Sequence, residues 1–155
     1  MFYYEQQRGI TSNASAGTED KVLQVRTAAN QPTMSIFGLY VSGRHNSPGG
    51  LIIRSKRAGT IGSGGSAITP QKRDPDAPAA SATVVDATFT AGTTLVAGQI
   101  VGCAAQGGFG GWFAATPEQA IRLKPNGGAN GNWELYNIAA IASVPFEQIT
   151  EFAEL

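Results

Sequence analysis

Hydrophobic and polar positions alternate with period two in short runs along this chain, and no run keeps a helical period for a helix's usual length. Val22-Leu23-Gln24-Val25-Arg26 is the first strand candidate and Ser35 to Val41 the second, where Gly38 predicts a bulge or a close approach of backbone. After a Gly/Pro/Asn-rich turn, Leu51, Ile53 and Ser55 alternate with Ile52, Arg54 and Lys56, so the strand Leu51 to Arg57 can keep one face wet. A long crossing, Thr60 to Ser81, carries Thr69-Pro70 and the charged stretch Lys72-Arg73-Asp74-Pro75-Asp76. Strand candidates resume at Ala80 to Thr88 and Thr94 to Ala104. Gly107 to Phe113 mixes four glycines with three aromatic rings, which predicts a tight turn feeding a strand.

Thr116-Pro117-Glu118-Gln119 has the capping pattern of a helix start with Pro at its first position, but the pattern lasts one turn before Ile121-Arg122-Leu123-Lys124 alternates again. The run from Pro125 to Asn132, rich in Gly and Asn, predicts a hairpin loop. Trp133 to Ser143 follows as a strand with Trp133, Leu135 and Asn137 on one face; in Pro145 to Phe152 a helix would align Phe146, Ile149 and Ala153 and a strand would put Thr150 and Phe152 together, and it is assigned to a last strand. About nine short strands punctuated by Gly, Pro and Asn define an all-β sandwich or barrel. The long crossing favours a jelly roll, whose Greek-key connections need such spans. Residues 1–20 lack either period and are expected to form an extended N-terminal arm on a single β-domain of residues 21–155.

Composition narrows the function classes. Lys+Arg and Asp+Glu balance at 11 each, so no overall field draws the protein to nucleic acid or an anionic membrane, and neither is expected as a partner. Charged residues are only 14% of the chain, against ~25% in an average globular protein. That composition suits a surface covered by other protein. Phe2-Tyr3-Tyr4-Glu5 offers neither a basic start nor an apolar run, so synthesis in a cytoplasm without export is expected, and Asn13-Ala14-Ser15 is read as a chance glycosylation match.

Candidate chemistry is sparse. One His and one Cys, His45 and Cys103, make no metal set, and no metal or cofactor is expected. Cys103 lies in an apolar run as a small hydrophobe. Gly62-Ser63-Gly64-Gly65-Ser66-Ala67 fits the spacing of a dinucleotide loop, but Ile68-Thr69-Pro70 cannot open the helix whose amides would hold a pyrophosphate. Glu134, Glu147, Glu151 and Glu154 include the residue type of a glycosidase pair, yet equally suit solvated strand faces. No catalytic residue is assigned. Arg54, Lys56, Arg57, Lys72 and Arg73 are the single basic concentration; without interleaved aromatics they suit an acidic protein partner, or a strand edge guarded against aggregation.

LIIRSKR, the Gly/Ser turn, Thr-Pro, the Asp-Pro segment, Ala-Ala-Ser-Ala-Thr-Val, the late Trp/Phe block, the Pro-Glu-x-Ala-Ile-x-Leu segment at 117–123 and the acidic C-terminus together resemble small structural proteins of tailed bacteriophages. The likeness covers residues 50–155 and leaves the arm unmatched. It implies a compact β-domain that assembles as an oligomer, often a trimer, on the particle. The expectation is a capsid decoration (cement) protein at the virion surface, a homotrimer bound across subunits of the major capsid protein. Phe2, Tyr3 and Tyr4 are its expected anchors, with Arg54, Lys56 and Arg57 as further partner contacts; deleting residues 2–8 would then leave the β-domain folded. The alternative is a tail fibre or spike head that binds a host glycan, with Trp112, Trp133 and Tyr136 as stacking rings.

Overall fold

Ten residues at the start of the chain and ten at its end lie side by side as antiparallel strands, β1 (Phe2–Thr11) and β14 (Pro145–Glu154), in register from Phe2 opposite Glu154 to Thr11 opposite Pro145. In this computed structural model the described residues are 1–11, 19–27, 30–43, 51–58, 63–86, 89–90, 95–104, 109–124, 131–139 and 145–155. Between those end strands run β2 (Glu19–Arg26), β3 (Met34–Gly43), β4 (Leu51–Ala58), β5 (Ser63–Gly64), β6 (Ala67–Ile68), β7 (Gln71–Lys72), β8 (Thr83–Val85), β9 (Phe89–Thr90), β10 (Leu95–Ala104), β11 (Phe109–Phe113), β12 (Ile121–Leu123) and β13 (Asn132–Ala139). A single 3₁₀ turn, Pro117–Gln119, separates β11 from β12 where the capping pattern predicted one turn.

The ladders are nested. β1 pairs with β14, β2 with β13, β3 with β11 and β12, and β4 with β10, all antiparallel. Folding this long double ribbon over itself gives two sheets, ordered β11-β3-β14-β1-β7 (with β12 also on β3) and β10-β4-β13-β2-β8-β6. Consecutive long strands alternate between the sheets except at β4 and β10, which pair within one sheet, and this is the jelly-roll winding of two Greek keys. The expected all-β sandwich is therefore the observed fold.

Period-two burial explains why these residues form strands. Along β14, Phe146, Gln148, Thr150 and Phe152 are buried while Pro145, Glu147 and Ile149 are half-buried. The core between the sheets joins Tyr4, Ile36, Leu39, Val41, Phe146 and Phe152 of the first sheet to Leu23, Val25, Ile53, Val84, Trp133 and Leu135 of the second. The register of β3 against β14 shifts between Glu151–Gly38 and Phe152–Ile36, so Phe37 is an extra residue. The bulge predicted at Gly38 is there, and a Cβ at Gly38 would meet Glu151 Oε2 at 2.6 Å.

The crossing that joins β4 to β10 closes one side of the sandwich. β6 pairs with β8, which pairs with β2, while β7 pairs with β1, so the segment hydrogen-bonds to the open edge of both sheets. Gly64 and Gly65, both at positive φ, turn the chain from β5 into β6, and no helix follows them. Side chains from the ends of the chain hold the crossing down. Glu154 Oε1 accepts from the backbone N–H of Ser81 (2.7 Å) and Ala82 (2.8 Å). Tyr4 donates its hydroxyl to the Pro78 carbonyl at 3.1 Å, and burial, with the Glu154 carboxylate behind it, raises the pKa of that hydroxyl. The Arg73 guanidinium reaches both Glu5 and Glu151.

Three expectations are corrected. Residues 2–11 are a strand between β14 and β7, not an arm, so deleting residues 2–8 removes most of that strand. β4 lies between β10 and β13, so its basic residues do not guard a sheet edge. The strand expected over residues 80–88 is confined to Thr83–Val85 in the described part, because Ser81 and Ala82 give their amides to Glu154. The 125–130 part of the expected hairpin loop lies outside the described residues.

Glu154→Ala is expected to lower stability by about 1–3 kcal/mol for each amide left without its acceptor. Glu154→Gln keeps an oxygen in place and should lose much less; urea unfolding of the two variants checks both.

Candidate functional site

Alternation along β1 sends Tyr4 inward and Tyr3 outward. Tyr3 lies opposite Ala153, which lies opposite Ser35, which lies opposite Arg122, so one row of the outer face crosses four strands. The bulge brings Phe37 out beside that row, and its ring meets Tyr3 edge-on with centroids 5.7 Å apart. Phe113, the last residue of β11, pairs with Gly38 and stands 58% exposed. Tyr3 is 45% exposed, and Met1, Phe2 and Leu155 are exposed at the same end of the sheet.

Met1, Tyr3, Phe37, Phe113 and Leu155 border a groove of about 400 Å³. Its walls are Tyr3, Phe37, Phe113 and Leu155, and small residues (Ala114, Ala115, Ala120, Ala153) with Pro117 leave the space between them. Arg122 is the one charged side chain among the described lining residues. The groove is open and apolar, with strand residues on one side and the segment Ala114 to Ala120, which carries the 3₁₀ turn, on the other. Such an arrangement suits contact with apolar side chains of another protein.

The expected site residues divide. Tyr3 is exposed in the groove wall and Phe2 is exposed but does not line the groove, while Tyr4 is 0% exposed, stacked on Phe152 at 5.4 Å. A wholly buried ring cannot anchor a partner, so Tyr4 belongs to the core. Arg54 and Lys56 lie in the other sheet, on the face opposite to the inward-facing Trp133 and Leu135. Lys56 Nζ sits 4.5 Å from the Tyr136 ring centroid. Arg57 donates to the Arg122 carbonyl at 2.7 Å, and burial lowers its pKa. Lys72 and Arg73 lie at the β7 edge of the first sheet, so the basic run of the sequence is not one patch.

Beside Lys56 is a buried polar network. Glu134 Oε1 accepts from Gln24 Nε2 at 2.6 Å and Asn132 Nδ2 at 3.2 Å, and Glu134 Oε2 accepts from the Tyr136 hydroxyl at 2.6 Å. Arg26 donates to Gln24 Oε1 and, at 2.9 Å, to the Gly64 carbonyl. Burial lowers the Arg26 pKa and the Glu134 charge partly offsets that. Glu134 thus lies in a different sheet from Glu147, Glu151 and Glu154. The rings expected to stack on sugar are taken up elsewhere: Trp133 is buried with its Nε1 on Ser55 Oγ at 2.8 Å, Tyr136 is buried on Glu134, and Trp112 packs against the core.

Among the described residues no group of three or more His, Cys, Asp or Glu side chains is placed to hold a metal ion. No helix among them is long and apolar enough to cross a membrane. His45 and Asn13 lie outside the described residues, as does the side chain of Cys103 in β10. Phe37, Phe113 and Arg122 were not singled out as site residues in the sequence. The bulge-forming Gly38 was the available signal for the first, and the Gly/aromatic block for the second.

No protein-family model matches the chain, and no curated protein matches its sequence. Among solved structures it has a low likeness to viral capsid proteins. The infectious bursal disease virus VP2 subviral particle aligns with a TM-score of 0.22 and 11% identity over 97% of this chain and 41% of that one. The T=1 particles derived from infectious bursal virus give a TM-score of 0.17 and 12% identity over 97% and 40%, and the Gx strain of infectious bursal disease virus 0.17 and 14% over 97% and 42%. The chain spans about two-fifths of the length of those structures. Similarity this low transfers neither topology nor activity.

Tyr4→Ala is expected to cost about 3–5 kcal/mol, the range for a large buried ring. Tyr3→Ala and Phe113→Ala should each change stability by about 1 kcal/mol or less, as for partly exposed positions. Denaturant unfolding of the three variants separates core from surface.

Proposed function

We propose that the protein is a structural component of a virus particle, of the capsid decoration or cement type, and that it docks on major-capsid subunits through the outer face of the sheet containing β1, β3, β11 and β14. The observation that carries this reading is the exposed aromatic groove. Tyr3, Phe37 and Phe113 line it together, and Arg122 is the one cationic side chain among its described lining residues. Aromatic side chains of this kind supply much of the energy of protein interfaces.

Two further features support it. The jelly roll is an architecture that viral shell domains use, although lectins and cupins use it too and the fold alone assigns no role. The resemblance of residues 50–155 to virion proteins of tailed bacteriophages points the same way and adds assembly as a homotrimer on the head. In this reading the groove, rather than an N-terminal arm, makes the attachment. The basic residues of β4 contribute little to it, since Arg57 is engaged with β12 and Arg54 and Lys56 face away on the second sheet. No catalytic step is assigned. The rings expected to stack on glycan in a fibre or spike head, Trp133 and Tyr136, are buried, so that reading loses the residues it named.

Particles assembled without the protein and then mixed with it should bind wild type in saturable amounts. The double variant Tyr3→Glu/Phe113→Glu should remain folded by circular dichroism yet bind at least tenfold more weakly in co-sedimentation. Unchanged binding by that variant would remove the groove from the attachment. Location of the wild-type protein at the tail instead of on the head, by electron microscopy of labelled particles, would remove the decoration role.

A further inference from the structure

The inward line of β14 is interrupted where a sandwich interior calls for apolar side chains. It reads Phe146, Gln148, Thr150, Phe152, and all four are buried. Gln6, which lies opposite Thr150 on β1, is buried as well at 2% exposure. Leu39 and Val41, opposite Thr150 and Gln148 on β3, belong to the core, which confirms the direction of these side chains. Gln148 donates through Nε2 to Thr150 Oγ1. Gln148 Oε1 and both polar atoms of Gln6, Nε2 and Oε1, meet no protein partner. Phe146 bounds this polar stretch at one end, and Tyr4 stacked on Phe152 bounds it at the other.

A primary amide buried without partners is among the more destabilising features a core can contain, and native interiors pair such groups with protein or with ordered water. The unmet groups here are one donor and two acceptors, and neither Gln6, Gln148 nor Thr150 carries a charge. That demand suits a neutral molecule that donates and accepts at once, and disfavours a metal ion or an anion.

We propose that Gln6, Gln148 and Thr150 form an internal binding site for water between the two sheets. One water accepts from Gln6 Nε2 and donates to Gln148 Oε1, and a second donates to Gln6 Oε1. The site ties β1 to β14 through solvent at the level where the apolar core gives out, and it independently specifies which face of β1 turns inward. A one-residue slip of β1 would carry Gln6 away from the water.

The test uses the full chain. Water-to-protein cross-relaxation measured by NMR on wild type should show long-lived water at the side-chain amides of Gln6 and Gln148. In thermal unfolding, Gln6→Leu and Gln148→Leu should each lower the midpoint, and the double variant should regain part of the loss because neither amide is then left facing an apolar surface. Gln6→Leu should also abolish the water signal at Gln148. The absence of long-lived water in wild type would overturn the proposal, and that measurement needs no variant to fold. A Gln6→Leu midpoint above wild type would overturn it too, since a stranded amide, unlike a hydrated one, is improved by removal. A crystallographic peak coordinated as a metal ion would overturn the identity of the ligand.

Discussion

The pairing of the first strand with the last is the constraint on which the rest of the structure depends. β1 and β14 meet residue for residue along their whole length. The stack of Tyr4 on Phe152, the outward row from Tyr3 to Arg122, and the grip of Glu154 on Ser81 and Ala82 all depend on that register. Because side chains alternate, a shift of one residue would bury Tyr3 and Glu5 and expose Tyr4. The same pairing leaves the free edge of β1 available to β7, so the crossing between β4 and β10 has a sheet to fasten to.

The outer groove follows from a local irregularity on that regular frame. An extra residue in β3 sets Phe37 against Tyr3, and the absence of a side chain at Gly38 leaves room for Glu151. Gly111 on β11 likewise has no room for a side chain, since a Cβ there would run into the Leu39 carbonyl. Aromatic rings therefore stand on a floor whose neighbours are small. The two outer faces differ in kind. The first sheet presents rings at one end of its outer face, whereas the second places a satisfied carboxylate, Glu134, among amides and a phenol.

Much of the fold was legible because inward positions along most strands are apolar. Ser35 to Val41 and Leu51 to Arg57 announce their alternation, and β3 and β4 appear where expected; β14 was open to a helical reading because its inward line includes Gln148 and Thr150. β1 hid because the rule fails in both directions there: its inward line contains Gln6, and its outward line contains Tyr3. A polar interior and an aromatic exterior read together as no pattern at all. The basic run misled for a different reason. Arg54, Lys56, Arg57, Lys72 and Arg73 are near one another in sequence, but a crossing separates them and strand alternation splits even the first three. The partly legible groove draws on five strands, β1, β3, β11, β12 and β14, and no local window contains that.

Nested ladders also govern how the chain can be made. Each inner pair, beginning with β4 and β10, becomes available to fold only after the segment between its strands has been synthesised, and β1 waits for β14. During translation Tyr3 and Tyr4 therefore leave the ribosome long before the strand that separates their fates exists. β1 to β4 find their long partner strands only among β10 to β14, and pairing this distant in sequence favours slow closure over domain-by-domain folding. Low charge does little to keep such unpaired strands apart, so closure of β1 on β14 also removes a surface on which neighbouring chains could pair.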